Sequence, residues 1–591
     1  MATGKEHGYV DIVKTTEKRE RWDKKIHFLL VCVGYAVGLG NIWRFPYLCY
    51  ESGGGAFLIP YFVMLVVCGI PLLLMEFAIG QFVRYGPVGT FARICPILKG
   101  VGVATVTMTF LLTTYYNVII SWSIFYLFSS FQSELPWASC NHTWNTKDCF
   151  SQEDYDQLEK GELPPNNTVS ASQEFFDHRV LGITDGIEDM GNIRWELFGC
   201  LVLAWIAVYL SLFKGVKSSG RVVYFTALFP YVFLTILFVT GLTLPGAIEG
   251  IKFLFFPKWE LLLDAKVWEA AAAQNFNSIG IAFGSMIAFS SFNDFQNKTI
   301  VRDTLGICIV NSFTSIFASF VIFSVLGYIA EIQNAPSIES VVASGPGLVF
   351  VVYPAAFPTM PVPQLWSTLF FVMLICLGID SQFAMVEVVV TTIRDTFPSF
   401  RKLYFDRKEI LVAYVCIFTF CCGIPNIMEG GMYFFQIMDW YTAVVSLGFV
   451  AVFEAVAVGW FYDARRLSRN VEQMTGRKVN MYFLICWLIF APILILAILI
   501  FSIVDYEVVD YNGYVYPPWA EALGWCFAMV SIVCIPIGAI HALVTSKGTL
   551  KERMFYCIRS TIDDDLHASQ YYTSSPIDNP PDYAEVTQST F

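Results

Sequence analysis

Two glycine-punctuated stretches decide the fold: Gly34-Tyr35-Ala36-Val37-Gly38-Leu39-Gly40-Asn41 and Asn277-Ser278-Ile279-Gly280-Ile281-Ala282-Phe283-Gly284. Each lies inside an apolar run long enough to cross a bilayer, which takes about 20 residues. An unwound turn frees backbone N–H and C=O groups that lipid cannot satisfy, so it survives only against protein, water or a bound ion. Tight packing of small residues between helices explains glycines in one span. Two interrupted spans with polar neighbours, in corresponding places of two five-helix halves, point to the binding site of a transporter. No strand precedes either run, which excludes a nucleotide-binding loop.

The rest of the chain agrees with a membrane setting. It has 591 residues, is 56% hydrophobic and only 15% charged, and its mean hydropathy is +0.57. Soluble domains carry about 25% charged residues. A net charge of −12 with no basic patch argues against a nucleic-acid partner. Hydropathy predicts an all-α polytopic protein with about twelve spans, near 26–50, 56–80, 99–132, 195–213, 221–241, 268–292, 302–330, 364–390, 409–424, 433–461, 481–503 and 521–546. Lysine and arginine concentrate in alternate loops, as at Arg84 and Arg93, Arg394 to Lys408, and Arg465 to Lys478, whereas no Lys or Arg occurs from Asp303 to Ile393. This positive-inside pattern predicts both termini in the cytoplasm. The charged first 25 residues lead into no cleavable signal peptide. The expected divisions are a cytoplasmic N-terminal segment (1–25), a transporter core (26–546) with a large extracellular loop (133–194), and a cytoplasmic tail (547–591) that is polar and disordered.

Most of the sixteen cysteines lie in apolar runs and read as small buried hydrophobes. Cys140 and Cys149 sit in a polar loop beside the glycosylation sequon at Asn141, and a second sequon follows at Asn166. Together they argue for an extracellular loop with one disulfide and attached sugar. A third sequon, at Asn297, falls on the cytoplasmic side and is expected to stay unmodified.

Gly34 to Gly55 reads GYAVGLGNIWRFPYLCYESGGG. It closely resembles the first-span signature of the sodium- and chloride-dependent neurotransmitter transporters (the neurotransmitter:sodium symporters, solute carrier family 6). The likeness continues through GIPLLLMEFAIGQ, TYYNVIISW, LPWASCNHTWNTKDC, FKGVKSSG, LGIDSQF and FEAVAVGWFY, over about 20–545. It implies twelve helices, the first ten in an inverted five-plus-five repeat with helices 1 and 6 broken. It also implies a plasma-membrane carrier that imports a small neutral amino acid or a related neurotransmitter or osmolyte of the glycine, proline, GABA, betaine or taurine type. Sodium and chloride would be coupled to it, by alternating access and without an organic cofactor.

The resemblance also implies roles residue by residue. One sodium would lie between the backbone of Ala36 and Ser278 and the side chains of Asn41, Ser278 and Asn311. A second would lie between the carbonyls of Gly34, Val37 and Leu377 and the side chains of Asp380 and Ser381. Broken-helix carbonyls with hydroxyls, amides and a carboxylate suit a hard cation, and a mid-span carboxylate such as Asp380 is itself a functional signal. Chloride would be held by Tyr61, Gln274, Ser278, Asn311 and Ser315, where Ser315 replaces the glutamate of chloride-independent relatives. A substrate carboxylate would meet the N–H groups of Leu39 and Gly40 and the Tyr116 hydroxyl. Tyr35, Ala36, Gly38, Leu112, Asn277, Ser278, Gly280, Phe283, Ser381 and Met385 would complete the pocket. Arg44 and Asp439 match an outer ionic gate, and Arg19, Trp22 and Asp395 an inner one.

Two positions depart from the family: Asn277 stands where an aromatic usually closes the outer lid, and Phe292 where a tyrosine is usual. Asn277 either contacts substrate, or is a neutral change, or leaves lid closure to Phe283. Glu76, Glu387 and Glu454 are further intramembrane carboxylates, read as packing and helix contacts. In the tail, Pro580, Pro581 and Tyr583 form a PPxY-type match for a WW domain, and Ser589 to Phe591 fit a PDZ ligand; both are short enough to occur by chance. Rival readings are a monoamine carrier, opposed by Gly38 where such carriers have an aspartate, and a non-transporting scaffold or sensor, which predicts degraded ion ligands. An enzyme is not expected. His7, His27, His142, His178, His541 and His567 do not cluster at metal-ligand spacing, and no nucleophile elbow appears.

Overall fold

The computed structural model of the chain describes residues 21–157, 165, 168–213, 216–333, 347–397, 407–506, 508–511 and 513–562. Arg19, Asn166 and the tail positions Pro580, Pro581, Tyr583, Ser589 and Phe591 lie outside them.

Among the described residues, ten helices are long and apolar enough to cross a membrane, and an eleventh element is a bent pair. The bent pair is α1 (Lys25–Ala36) and α2 (Leu39–Glu51), turned by 54°. Then follow α3 (Gly54–Val83), α4 (Pro96–Ser129), α5 (Trp195–Leu212) and α6 (Val222–Leu242). The predicted span 268–292 is two pieces, α7 (Ala265–Ile279) and α8 (Ser285–Ser290). A helix cannot persist through the five residues 280–284, because Gly280, Ala282 and Gly284 all adopt positive φ. The second half continues with α9 (Ile300–Ile332), α10 (Pro363–Thr396), α11 (Lys408–Ile427) and α12 (Gly431–Phe461), and ends with α13 (Met481–Val504) and α14 (Pro518–Thr545). The two interrupted elements are thus the first and the sixth of twelve.

Helices α4 and α10 make the most extensive pairing and form the central post. Gln382 of α10 donates to the Thr113 carbonyl of α4 at 2.9 Å, and the rings of Tyr126 and Phe371 stack at 4.7 Å. Outside faces are apolar and exposed, as at Leu203, Ile309, Ile417 and Ile540, which is the composition lipid requires. Helix α14 closes on α4 by backbone contact, since a Cβ added to Gly538 would lie 2.4 Å from the Cα of Gly100.

The loop between α4 and α5 is braced by internal contacts among its described residues. Cys140 and Cys149 are bonded, beside an exposed Asn141. The buried Glu174 accepts from the Thr146 N–H at 2.8 Å and from Asn145 Nδ2 at 3.1 Å, and so pins the disulfide loop from within. Glu188 accepts from the Tyr514 hydroxyl at 2.7 Å, tying this loop to the α13–α14 connection on the same side. On the opposite side, the tail is not disordered from residue 547. Leu550–Ile558 is a helix with a capping box between Thr549 and Glu552, and Cys557 and Ile562 are buried.

Replacing Gly538 with Val should lower the melting midpoint in detergent, because overpacking a backbone contact costs about 1–3 kcal/mol. Gly199→Val, where an added Cβ would meet nothing within 4 Å, should leave it unchanged.

Candidate functional site

The two breaks meet at mid-membrane depth. A Cβ on Gly280 would lie 2.1 Å from the ring of Tyr35, so the second break packs directly on the end of α1, and φ +79 at that residue is a conformation glycine adopts freely. Gln274 of α7 donates to the Gly40 carbonyl at 3.3 Å. The freed backbone groups find protein partners. The Ala282 N–H donates to Glu76 Oε1 of α3 at 2.7 Å, and the Phe283 carbonyl accepts from Thr109 Oγ1 of α4 at 2.7 Å. In the first break, the Gly38 N–H donates to Asn41 Oδ1 at 3.0 Å, while the N–H groups of Leu39 and Gly40 have no backbone acceptor among the described residues. The Tyr116 hydroxyl lies against Leu39 and Ser381.

Oxygen atoms crowd two points beside these breaks. Asn41 Nδ2 lies 2.7 Å from Asn311 Oδ1, 2.8 Å from Ser315 Oγ, 3.2 Å from Ser278 Oγ and 3.4 Å from the Asn311 carbonyl. An amide nitrogen has two hydrogens, so four acceptors exceed what it can satisfy, and a small cation suits such a shell. At the second point Asp380 is fully enclosed. Its Oδ1 accepts from the Thr226 hydroxyl, and its Oδ2 has no hydrogen-bond partner. That free oxygen would be 2.7 Å from a Cβ on Gly34, and Ser381 Oγ 2.7 Å from one on Gly38. Glycines at both places therefore let α10 press its polar edge onto the end of α1, next to Val37; Leu377, one turn earlier on α10, accepts from Ser381 Oγ at 3.4 Å. An unpaired buried carboxylate oxygen is costly, and a cation there would neutralise it. The buried Asn311 Nδ2 is a donor without an acceptor, and Tyr61 and Ser312 hydroxyls adjoin at 3.1 Å. Donors without a carboxylate suit an anion.

Above the breaks opens a cavity of about 460 Å³. Tyr35, Ala36, Gly38, Gly40, Asn41, Leu112, Tyr116, Gln274, Asn277, Ser278, Phe283, Ser381 and Met385 line its lower part, and Arg44, Asp439, Asp510 and Tyr511 its upper part. Asp510 and Tyr511 belong to the α13–α14 connection, so the cavity opens toward the side of the disulfide loop. Arg44 of α2 and Asp439 of α12 share its wall, but among the described residues they form no direct ion pair; Asp439 accepts instead from the Tyr115 hydroxyl at 3.0 Å.

The opposite side is plugged. Trp22 donates its ring N–H to the Phe289 carbonyl at 3.0 Å and packs on Phe28, Phe289 and Phe292. Asp395 accepts from the Gly86 N–H at 2.7 Å. Two ion pairs add to the plug that sequence reading missed, Arg21 with Asp294 at 2.6 Å and Lys25 with the buried Asp303 at 2.9 Å. Other contributors missed were Thr109 and Thr226, since a threonine in a long helix carries no signal of what it caps. Glu76 was visible as an intramembrane carboxylate, but its N–H partner at Ala282 was not. Glu387 is matched by Lys408 at 2.8 Å.

A bundle with two facing broken helices, and a cavity open at one end and sealed at the other, defines a membrane carrier that exposes its site to one side at a time. The comparisons agree: a profile described as the sodium:neurotransmitter symporter family matches residues 19–546. The chain is 47% identical over 550 residues to the sodium- and chloride-dependent GABA transporter ine of Drosophila melanogaster, covering 92% of this chain and 58% of that protein. It is 46% identical over 543 residues to the sodium- and chloride-dependent GABA transporter 2 of Mus musculus and 44% over 544 residues to that of Homo sapiens, in each case covering 91% of this chain and 89% of the relative. The chain belongs to the sodium:neurotransmitter symporter family; it is a multi-span membrane transporter and not an enzyme.

Because the Gly34 Cα faces Asp380 at close range, Gly34→Ala should raise the sodium concentration needed for half-maximal function by about tenfold or more at unchanged surface abundance. Sodium titration of uptake or of site-directed labelling checks this.

Proposed function

We propose that the protein imports a small amino-acid-like solute carrying its own carboxylate, of the GABA type, driven by sodium and chloride across the plasma membrane. The observation that carries this reading is the enclosed Asp380, whose unpartnered oxygen adjoins the broken end of α1 at Gly34. Mid-membrane carboxylates of this kind mark ion pathways. In this reading the backbone of Gly34, Val37 and Leu377 with Asp380 and Ser381 holds one sodium. Ala36, Asn41, Ser278 and Asn311 hold the other, while Tyr61, Gln274, Ser278, Asn311 and Ser315 receive chloride. The relatives' names support both ions and the substrate type.

Gly38 favours this over a monoamine carrier. A Cβ there would meet Ser381 Oγ at 2.7 Å and the Tyr116 hydroxyl at 3.5 Å, so no side-chain carboxylate fits to pair an amine. The substrate carboxylate would meet Leu39, Gly40 and Tyr116 instead, at the positive end of α2. Both termini are cytoplasmic in this orientation, with Asn141 and Asn166 outside. The cycle begins in the open cavity; sodium, chloride and substrate bind, Arg44 and Asp439 draw together above them, and the plug at Trp22 and Asp395, with Arg19, releases below.

Uptake in oocytes given labelled neutral amino acids, GABA, betaine, taurine and monoamines should show transport of one amino-acid-like solute. It should collapse when choline replaces sodium or gluconate replaces chloride, and in Asp380→Ala. Two sodium ions, one chloride and a zwitterion leave one net charge per cycle, worth about 2.3 kcal/mol per 100 mV, so the transport current should grow with hyperpolarisation. A voltage-independent current would contradict that stoichiometry.

A further inference from the structure

Asn277 occupies the wall of the cavity with its amide hydrogens already committed. Nδ2 donates to the Ala273 carbonyl of its own helix at 3.0 Å and across to the Ala443 carbonyl of α12 at 3.2 Å. The second acceptor lies in a stretch of α12, Tyr441–Ser446, that is π-wound. A carboxamide is planar, so fixing both N–H bonds also fixes where its oxygen points. Oδ1 receives no hydrogen bond from any described residue. The same cavity is lined by apolar side chains, among them Leu112, Phe283 and Met385, and by polar ones that include Gln436 and Asp439. The Leu39 and Gly40 N–H groups and the Tyr116 hydroxyl supply donors at the first break.

We propose that Asn277 is a specificity-determining residue: held by Ala273 and Ala443, its side-chain carbonyl accepts a hydrogen bond from an N–H of the substrate amine, at the end remote from the carboxylate. The inference rests on the carrier function proposed above and deepens it, because it selects among carboxylate-bearing solutes. A site built to hydrogen-bond a substrate N–H rejects an analogue lacking it far more strongly than an apolar pocket rejects a change of size, since the protein's own polar atom is then left unpaired. Primary ω-amino acids should be favoured and quaternary ammonium solutes disfavoured. An aromatic lid would accept both, by contact with the ring face.

The test is uptake of GABA and of its N,N,N-trimethyl analogue, which keeps the carboxylate and chain but has no N–H, by oocytes expressing the full chain. Wild type should favour GABA. In Asn277→Leu, of nearly the same size, the KM for GABA should rise about tenfold or more, the worth of a hydrogen bond to a charged donor, while the KM for the trimethyl analogue stays within a factor of two. Asn277→Asp keeps an acceptor at the same position but, being acceptor-only, loses both bonds, to Ala273 and to Ala443, and should still retain the GABA preference because a carboxylate accepts from the substrate amine. A preference unchanged in Asn277→Leu at normal surface abundance would overturn the proposal while leaving the carrier reading intact. If that variant fails to reach the surface, Asn277→Asp decides, and loss of the preference there would overturn it. Wild-type protein that moves neither compound nor any other carboxylate-bearing amine would overturn the carrier reading and this proposal with it.

Discussion

The structure depends on one constraint: hydrocarbon offers no hydrogen bonds, so every peptide group released by a broken helix must be answered by the protein or its cargo. The two breaks are answered unequally. At the second, Glu76 takes the Ala282 N–H and Thr109 supplies the Phe283 carbonyl, both from helices of the surrounding bundle. At the first, among the described residues, the Leu39 and Gly40 N–H groups meet no backbone acceptor, with the Tyr116 hydroxyl set against Leu39, and the free oxygen of Asp380 has no partner. One break is finished by the fold, and the other is left for ligands to finish. That division explains why charged and polar side chains are tolerated in the middle of a membrane protein here.

Glycine supplies the geometry of the two breaks in different ways. Gly280 adopts a left-handed turn under the ring of Tyr35. Gly34 and Gly38 act by absence, letting Asp380 and Ser381 come within reach of the α1 backbone. The same economy of side chain at Gly38 decides the chemistry of the pocket, because it removes space for a carboxylate facing the substrate and leaves backbone donors in its place.

Much of this was legible in the sequence. The span pattern, the two interruptions and the exceptional carboxylate at Asp380 follow from length, hydropathy and the cost of charge in lipid, and the predicted helices reappear with ends shifted by a few residues. Contacts between residues far apart in the chain were not legible. Nothing near Thr226 announces that it will bond Asp380, and nothing near Asp303 announces Lys25. Amphipathic detail in polar stretches was also hidden: the helix at Leu550–Ile558 is short, and its one buried residue is Cys557, so no periodic apolar face announces it. Asn277 was legible as an oddity but not as a cross-link, because its acceptor, the Ala443 carbonyl, belongs to a helix far along the chain.

The anchoring of the second break to Glu76 and Thr109 has a mechanical consequence. A non-helical segment clamped at its middle, with a helix on each side, behaves as a fulcrum. Above it α7 is a long arm of 15 residues, and below it α8 is a short arm of six. A small rotation about Ala282 and Phe283 sweeps the far end of α7, with the cavity rim it carries, through a greater distance than it moves the inner end. The geometry is that of a lever with unequal arms: wide travel where solute must enter, and small, forceful travel where packed aromatic rings must be prised apart.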